Sequence, residues 1–322
     1  MKRLLRSFVI SILLFSSLPL RAQAAELLIP VGRIIGLQLR NDTITVAAYD
    51  DVLGANARSA GLKIGDEILQ IDGRGITCAE DVRAALNGGA DTVELTIRRG
   101  SKQDKLTITP EQTEEGPRLG IYLRQGIAGI GTVTFYDPET GKFGTLGHGV
   151  SDSRGTLLHM TQGSAYEATI LSVKKGKCGE PGQLKGSAEA AQAFGTLLRN
   201  TPQGVFGITK QGWKGDAIPV AEYEEVCTGK AVIRCQVSGD SVQEYSVEIL
   251  KIYPESRSDG RNFLIKVTDP KLLEKTGGIV QGMSGSPIIQ DGKLVGAVTH
   301  VLVNSPETGY GIFIENMLKA AA

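Results

Sequence analysis

Short apolar runs separated by glycine-rich turns fill most of this chain. Glu67 to Ile71 alternates apolar and polar positions and ends at Asp72-Gly73, the pattern of a strand entering a tight turn. Thr77-Cys78-Ala79-Glu80 then reads as a capping box. Val82, Ala85 and Leu86 form the apolar stripe of a short helix that Gly88 closes as its C′ glycine. Strands are expected at Val93 to Arg98, Lys105 to Thr109, Leu119 to Leu123, Gly131 to Tyr136 and Phe143 to Leu146, with a turn at Asp137-Pro138-Glu139-Thr140-Gly141 between the last two. Near the end, Gly277-Gly278-Ile279-Val280-Gln281-Gly282-Met283-Ser284-Gly285-Ser286-Pro287-Ile288-Ile289 reads as two apolar strand ends joined by a glycine-rich turn. Gln290-Asp291-Gly292-Lys293 is a hairpin signal leading to the returning run Leu294 to Val298. Gly309 to Ile314 is a last strand and Glu315 to Ala321 a closing helix. The pattern specifies a mostly β protein with minor helix.

One segment departs from it. Lys2, Arg3 and Arg6 precede the apolar stretch Phe8 to Leu20, and Ala22-Gln23-Ala24 follows. Charged, apolar and small-x-small regions in that order mark residues 1–25 as a signal peptide or an N-terminal membrane anchor, so the body of the protein is expected outside the cytoplasm.

Composition sharpens the picture in a few places. A length of 322 residues fits two domains, and 41 glycines fit tight turns. Basic and acidic residues balance at 35 each, so no net field draws the chain to nucleic acid or an anionic surface. The four cysteines, Cys78, Cys178, Cys227 and Cys235, follow no metal-site spacing. Cys227 and Cys235 could pair across a hairpin in an oxidising compartment, or all four could stay as thiols. No metal and no organic cofactor is implied.

Candidate chemistry centres on Ser284. Flanking glycines permit a sharp turn that presents its hydroxyl and leaves the amides of Gly282 and Ser284 free to converge as an oxyanion hole. A strand, a Gly-x-Ser-Gly-x-Pro turn, a hairpin and a returning strand is how trypsin-like serine proteases present their nucleophile. The chain has three histidines. His148 sits between Gly147 and Gly149 at a strand end and is the expected base, since two β-barrels would each supply one partner. His159, after Leu157-Leu158, reads as a partly buried structural residue, and His300, on the strand returning from the Ser284 turn, as a substrate-pocket wall or a buried strand residue. For the acid that holds the imidazole tautomer, Asp269, Asp216 and Asp152 all lie between histidine and serine in sequence.

Two resemblances extend this reading. Ala60-Gly61-Leu62-Lys63-Ile64-Gly65-Asp66-Glu67-Ile68-Leu69-Gln70-Ile71-Asp72-Gly73 resembles the signature of PDZ domains of the bacterial protease type, placing a peptide-binding module at 27–112 and a catalytic domain at 113–322. The resemblance implies that Ile34-Ile35-Gly36-Leu37 is the carboxylate-binding loop, with an edge strand that takes peptide C-termini by β-augmentation. The expected fold class is therefore mostly β, a PDZ domain followed by a trypsin-like double β-barrel.

Gly147-His148-Gly149-Val150, Thr268-Asp269-Pro270 and the Ser284 turn together resemble the stage IV sporulation protein B peptidases of spore-forming bacteria. That resemblance implies His148 as base, Ser284 as nucleophile and Asp269 as acid. It also implies secretion across the forespore inner membrane into the intermembrane space, self-cleavage near the N-terminus, and cleavage of a membrane-tethered regulator that frees an intramembrane protease to process a sigma factor. An envelope quality-control protease and a non-catalytic PDZ scaffold are the rival readings.

Overall fold

The computed structural model describes residues 26–152, 155–188, 192–257 and 259–322; the expected signal segment lies outside them. Strand β1 (Leu27–Pro30) is followed by the 16-residue β2 (Ile34–Tyr49). A compact unit comes next: α1 (Ala55–Ser59), β3 (Glu67–Ile71), β4 (Arg74–Gly75), α2 (Ala79–Leu86), β5 (Val93–Arg99), β6 (Lys102–Ile108), and the small hairpin β7 (Glu111–Thr113) and β8 (Gly116–Arg118). Its core is Ile44, Val46, Ile68, Val82, Leu95 and Ile97 with their neighbours. The Asp72-Gly73 turn forms as expected, both residues with positive φ. The capping box shifts by one position, Cys78 being the N-cap and Asp81 reaching back to its amide at 3.1 Å.

A second 16-residue strand, β9 (Ile121–Tyr136), returns along β2. Ile44 to Tyr49 pair with Gln125 back to Ile121 inside the PDZ unit, and Ile34 to Leu39 pair with Thr132 back to Ile127 beyond it. Between these stretches the register slips, and Gly126 adopts φ +76° where an added Cβ would lie 1.9 Å from the Leu39 carbonyl. Only glycine fits this bulge. The two domains thus share two continuous strands rather than meeting at a linker.

From β9 the chain builds a first barrel with β10 (Lys142–Thr145), β11 (Gln162–Lys174), β13 (Gly195–Thr201) and β14 (Gly204–Thr209), while β12 (Gln183–Ala188) pairs with β11 outside the ring. Pairings β9–β10, β10–β14, β14–β13, β13–β11, β11–β2 and β2–β9 close the ring. Leu37, Val133, Phe143 and Val205 fill its core. After β15 (Ile218–Pro219), a second closed barrel follows: β16 (Gly229–Cys235), β17 (Gln243–Ile252), β18 (Phe263–Val267), α3 (Pro270–Thr276), β19 (Pro287–Gln290), β20 (Lys293–Leu302) and β21 (Ser305–Phe313), with the helix α4 (Ile314–Ala321) at the end. The expected mostly β double barrel is what forms.

One boundary moves. Residues 27–39, expected to open the PDZ module, pair with the barrel strands β9 and β11 and with β15. Ile34-Ile35-Gly36-Leu37 is consequently buried in mid-sheet, with strands on both sides, and a Cβ on Gly36 would come within 2.3 Å of the Ala188 Cβ. It cannot be the carboxylate-binding loop, because its amides face neighbouring strands rather than a groove. All four cysteines are free thiols, so Cys227 and Cys235 are not paired.

Candidate active site

Ser284 and His148 come from different barrels and line one cavity of about 470 Å³ together with Gly282, Thr299 and His300. The serine turn needs its glycines: φ is +99° at Gly282 and +95° at Gly285, and a Cβ on Gly285 would sit 2.0 Å from the Thr132 carbonyl. The turn is held from the first barrel. Buried Thr132 donates its amide to the Ser284 carbonyl (3.0 Å) and its hydroxyl to the Gly282 carbonyl (2.8 Å), and Thr134 Oγ1 donates to the Gly285 carbonyl (2.7 Å). From the second barrel, Gly285 N donates to the Val298 carbonyl at 2.7 Å.

The oxyanion segment is pinned separately. The Gln281 carbonyl accepts from Leu184 N at 2.8 Å, and Gln281 N donates to the Gly182 carbonyl at 3.0 Å. In a trans peptide N–H points away from C=O, so fixing the Gln281 carbonyl on β12 aims the Gly282 N–H to the opposite side. Among the described residues neither the Gly282 nor the Ser284 amide has a protein acceptor. Both are free for a developing oxyanion.

His148 is delivered by two consecutive left-handed residues, Leu146 (φ +70°) and Gly147 (φ +68°). Leucine in that region is strained, at a cost on the order of 1–3 kcal/mol. Leu146 is held there by its amide on the Thr132 carbonyl and by burial in the first barrel. Beyond the histidine, Asn200 clamps the chain: Oδ1 accepts from Val150 N and Nδ2 donates to the Val150 and Leu158 carbonyls, all within 2.8–2.9 Å. His148 Nδ1 lies 2.9 Å from the Gly149 carbonyl. A carbonyl only accepts, so Nδ1 carries the proton and Nε2 keeps its lone pair. Burial lowers the His148 pKa, partly opposed by that carbonyl. The Ser284 hydroxyl donates to the Thr299 carbonyl at 2.9 Å.

The acid candidates lie elsewhere. Asp269 is the N-cap of α3: Oδ1 accepts from Lys271 N (2.9 Å) and Leu272 N (3.2 Å), and Oδ2 from Ser246 N (3.3 Å). The structure does not bring it to His148. Asp216 is exposed, and Asp152 accepts from Thr156 N beside a different cavity, one that exposed His159 also lines. His300 does reach the site, its ring centroid 5.3 Å from that of His148. Sequence reading missed Thr132, Asn200 and the Leu184 pin, and nothing local to those residues signals them.

A second cavity of about 560 Å³ runs along α2, lined by Val82, Arg83, Leu86, Gly120, Ile121 and Leu123 among others. Its far wall is the PDZ end of β9. Gly120 has φ +66°, and its carbonyl accepts from Asp50 N at 2.9 Å. The glycine-containing entry to a groove-lining strand is therefore Leu119-Gly120-Ile121, not the segment around Gly36.

Two β-barrels with serine and histidine facing across their junction, preceded by a PDZ unit, define a serine peptidase with a peptide-binding module. Residues 115–318 match the SpoIVB peptidase S55 family and residues 34–109 a PDZ domain, so the chain belongs to the SpoIVB peptidase S55 family. It is 40% identical over 58 residues to serine protease HTRA1 of Xenopus tropicalis, covering 18% of this chain and 13% of that protein. It is 30% identical over 144 residues to a protein named as a zinc metalloprotease from Agrobacterium fabrum, covering 44% and 37%. The chain thus spans well under half the length of these curated relatives. Among solved structures, the active form of the Rv3671c protease from M. tuberculosis aligns with TM-score 0.37 and 15% identity over 61% of this chain and 73% of that one.

Proposed function

We propose that this chain cleaves peptide bonds of protein substrates by acyl transfer through Ser284. The observation that carries the reading is the convergence of Ser284, His148 and the unpaired amides of Gly282 and Ser284 on one cavity between two barrels. In the resting arrangement the serine hydroxyl rests on the Thr299 carbonyl. Rotation about χ1 turns it toward His148, whose Nε2 takes the proton as Oγ attacks the substrate carbonyl. The two amides hold the oxyanion, His148 returns the proton to the leaving amine, and water releases the acyl group by the same steps.

In the PDZ unit, an extended peptide would add alongside Ile121 to Leu123 with its terminal carboxylate at the Leu119-Gly120 entry. Arg83 on α2 lines that groove and adds positive charge. Family membership supports a finer reading: export into the space between forespore membranes, self-cleavage, and cleavage of a membrane-tethered regulator of an intramembrane protease. The test is labelling with a fluorophosphonate, which reacts only with an activated serine, in wild type and Ser284→Ala. Labelling at Ser284 supports the reading; an unlabelled wild type, or equal peptide hydrolysis by both, overturns it.

A further inference from the structure

We propose that His300 is a positioning residue for His148, holding its ring for proton transfer rather than serving only as a wall for the substrate. The inference rests on the serine-peptidase reading above. The two imidazoles lie with centroids 5.3 Å apart and planes tilted by 39°, and both line the cavity that holds Ser284. His300 Nδ1 is buried and has no hydrogen-bond partner among the described residues. A buried polar atom left unpaired is costly, on the order of 1–3 kcal/mol, so an imidazole there calls for a reason beyond packing.

Chemistry supplies one. When His148 takes the Ser284 proton, it becomes a cation in a buried place, and burial disfavours that form. Among the described residues no carboxylate hydrogen-bonds His148, and its Nδ1 is already committed to the Gly149 carbonyl. The group beside its ring is His300. A neutral imidazole with an unused lone pair stabilises a neighbouring imidazolium without itself gaining or losing a proton. His300 is kept neutral: burial, His148 and Arg261 lower its pKa to about 4, opposed by Asp259. These groups come from every side. His148 belongs to the first barrel, and Asp259 and Arg261 to the loop before β18. In that loop a Cβ on Gly260 would sit 4.0 Å from His300 Cε1 and 3.4 Å from the Gly147 carbonyl. Asp259 is itself engaged by Arg257 at 2.8 and 2.9 Å. Gly260 thus packs against His300 and against the carbonyl of Gly147, the residue before His148.

The experiment compares wild type with His300→Ala, His300→Gln and His300→Asp, reading fluorophosphonate labelling rate, kcat and KM, and the pH dependence of kcat. A positioning role predicts a labelling rate and kcat about 100-fold lower in His300→Ala, within the range a well-placed acid–base group contributes. His300→Gln, planar and neutral, recovers part of the loss. His300→Asp moves the acid limb of the pH profile up by about one unit, because a carboxylate beside His148 favours the imidazolium. A wall role predicts higher KM with labelling rate and acid limb unchanged, and that result overturns the proposal. If wild type itself is not labelled at Ser284, the peptidase reading fails first; if wild type is labelled and His300→Ala labels at the same rate, this inference alone fails.

Discussion

Thr132, on the strand that walls the PDZ groove nine positions earlier at Leu123, bonds the Ser284 turn twice: its amide meets the Ser284 carbonyl at 3.0 Å and its hydroxyl the Gly282 carbonyl at 2.8 Å. The same residue's carbonyl accepts from Thr145 Oγ1 (2.6 Å) and Leu146 N (3.3 Å), just ahead of His148. One buried threonine of the first barrel therefore fixes the backbone on both sides of the catalytic cavity.

Thr132→Val keeps the shape but leaves the Gly282 carbonyl without its donor. The expected loss is about 1–3 kcal/mol of stability, with slower fluorophosphonate labelling as the turn loosens. Thr132→Ser keeps the donor and should stay near wild type. Urea midpoints alongside labelling rates check both.

Asp269 makes a different prediction from the one its place in the family pattern suggests. As an N-cap, Asp269→Ala should cost about 1 kcal/mol, while Asp269→Asn, an equally good cap, should hold stability. With its carboxylate on α3, folded Asp269→Asn should keep more than a tenth of wild-type turnover. A collapse on the order of 10⁴ would mean that the working enzyme brings this carboxylate to His148. Turnover measured on folded protein decides.

Peptide binding should follow the α2 groove. A peptide ending in a free carboxylate should bind more tightly than its amide, and Arg83→Glu should shrink that difference. Gly36→Val, by contrast, should impair folding, given the 2.3 Å approach of Ala188. Calorimetric titration of both peptides and a melting curve for Gly36→Val test the assignment; equal affinities in wild type would remove the carboxylate site.

Acidification should destabilise the fold through the paired histidines. Unfolded His300 titrates near the ordinary 6.5 and folded His300 near 4. Between those values the unfolded chain binds the extra proton, so stability falls as pH drops through 6.5 and the effect levels off near 4. His148 is lowered too and adds in the same direction. Denaturant midpoints at pH 7.5, 5.5 and 4.5 should decline, and less steeply in His300→Gln.

The local codes were legible in the sequence. Asp72-Gly73 and Asp291-Gly292 both turn with positive φ, Gly277 caps α3 in the left-handed region, and the glycines around Ser284 take the conformations their lack of Cβ suggested. These depend on residues next to one another, so sequence alone carries them. Asp269-Pro270 carried a local code as well: an N-cap followed by proline at N1 announces a helix start, and that is what forms. What sequence could not fix was pairing between distant strands. Ile34-Ile35-Gly36-Leu37 and Leu119-Gly120-Ile121 read alike along the chain, yet only the second lies across from α2, because β2 and β9 each run through both domains. The placing of His300 against His148 and of Thr132 beneath Ser284 comes from the same source. The packing of one barrel against the other brings together residues about 150 positions apart, and no neighbour along the chain encodes who will stand opposite.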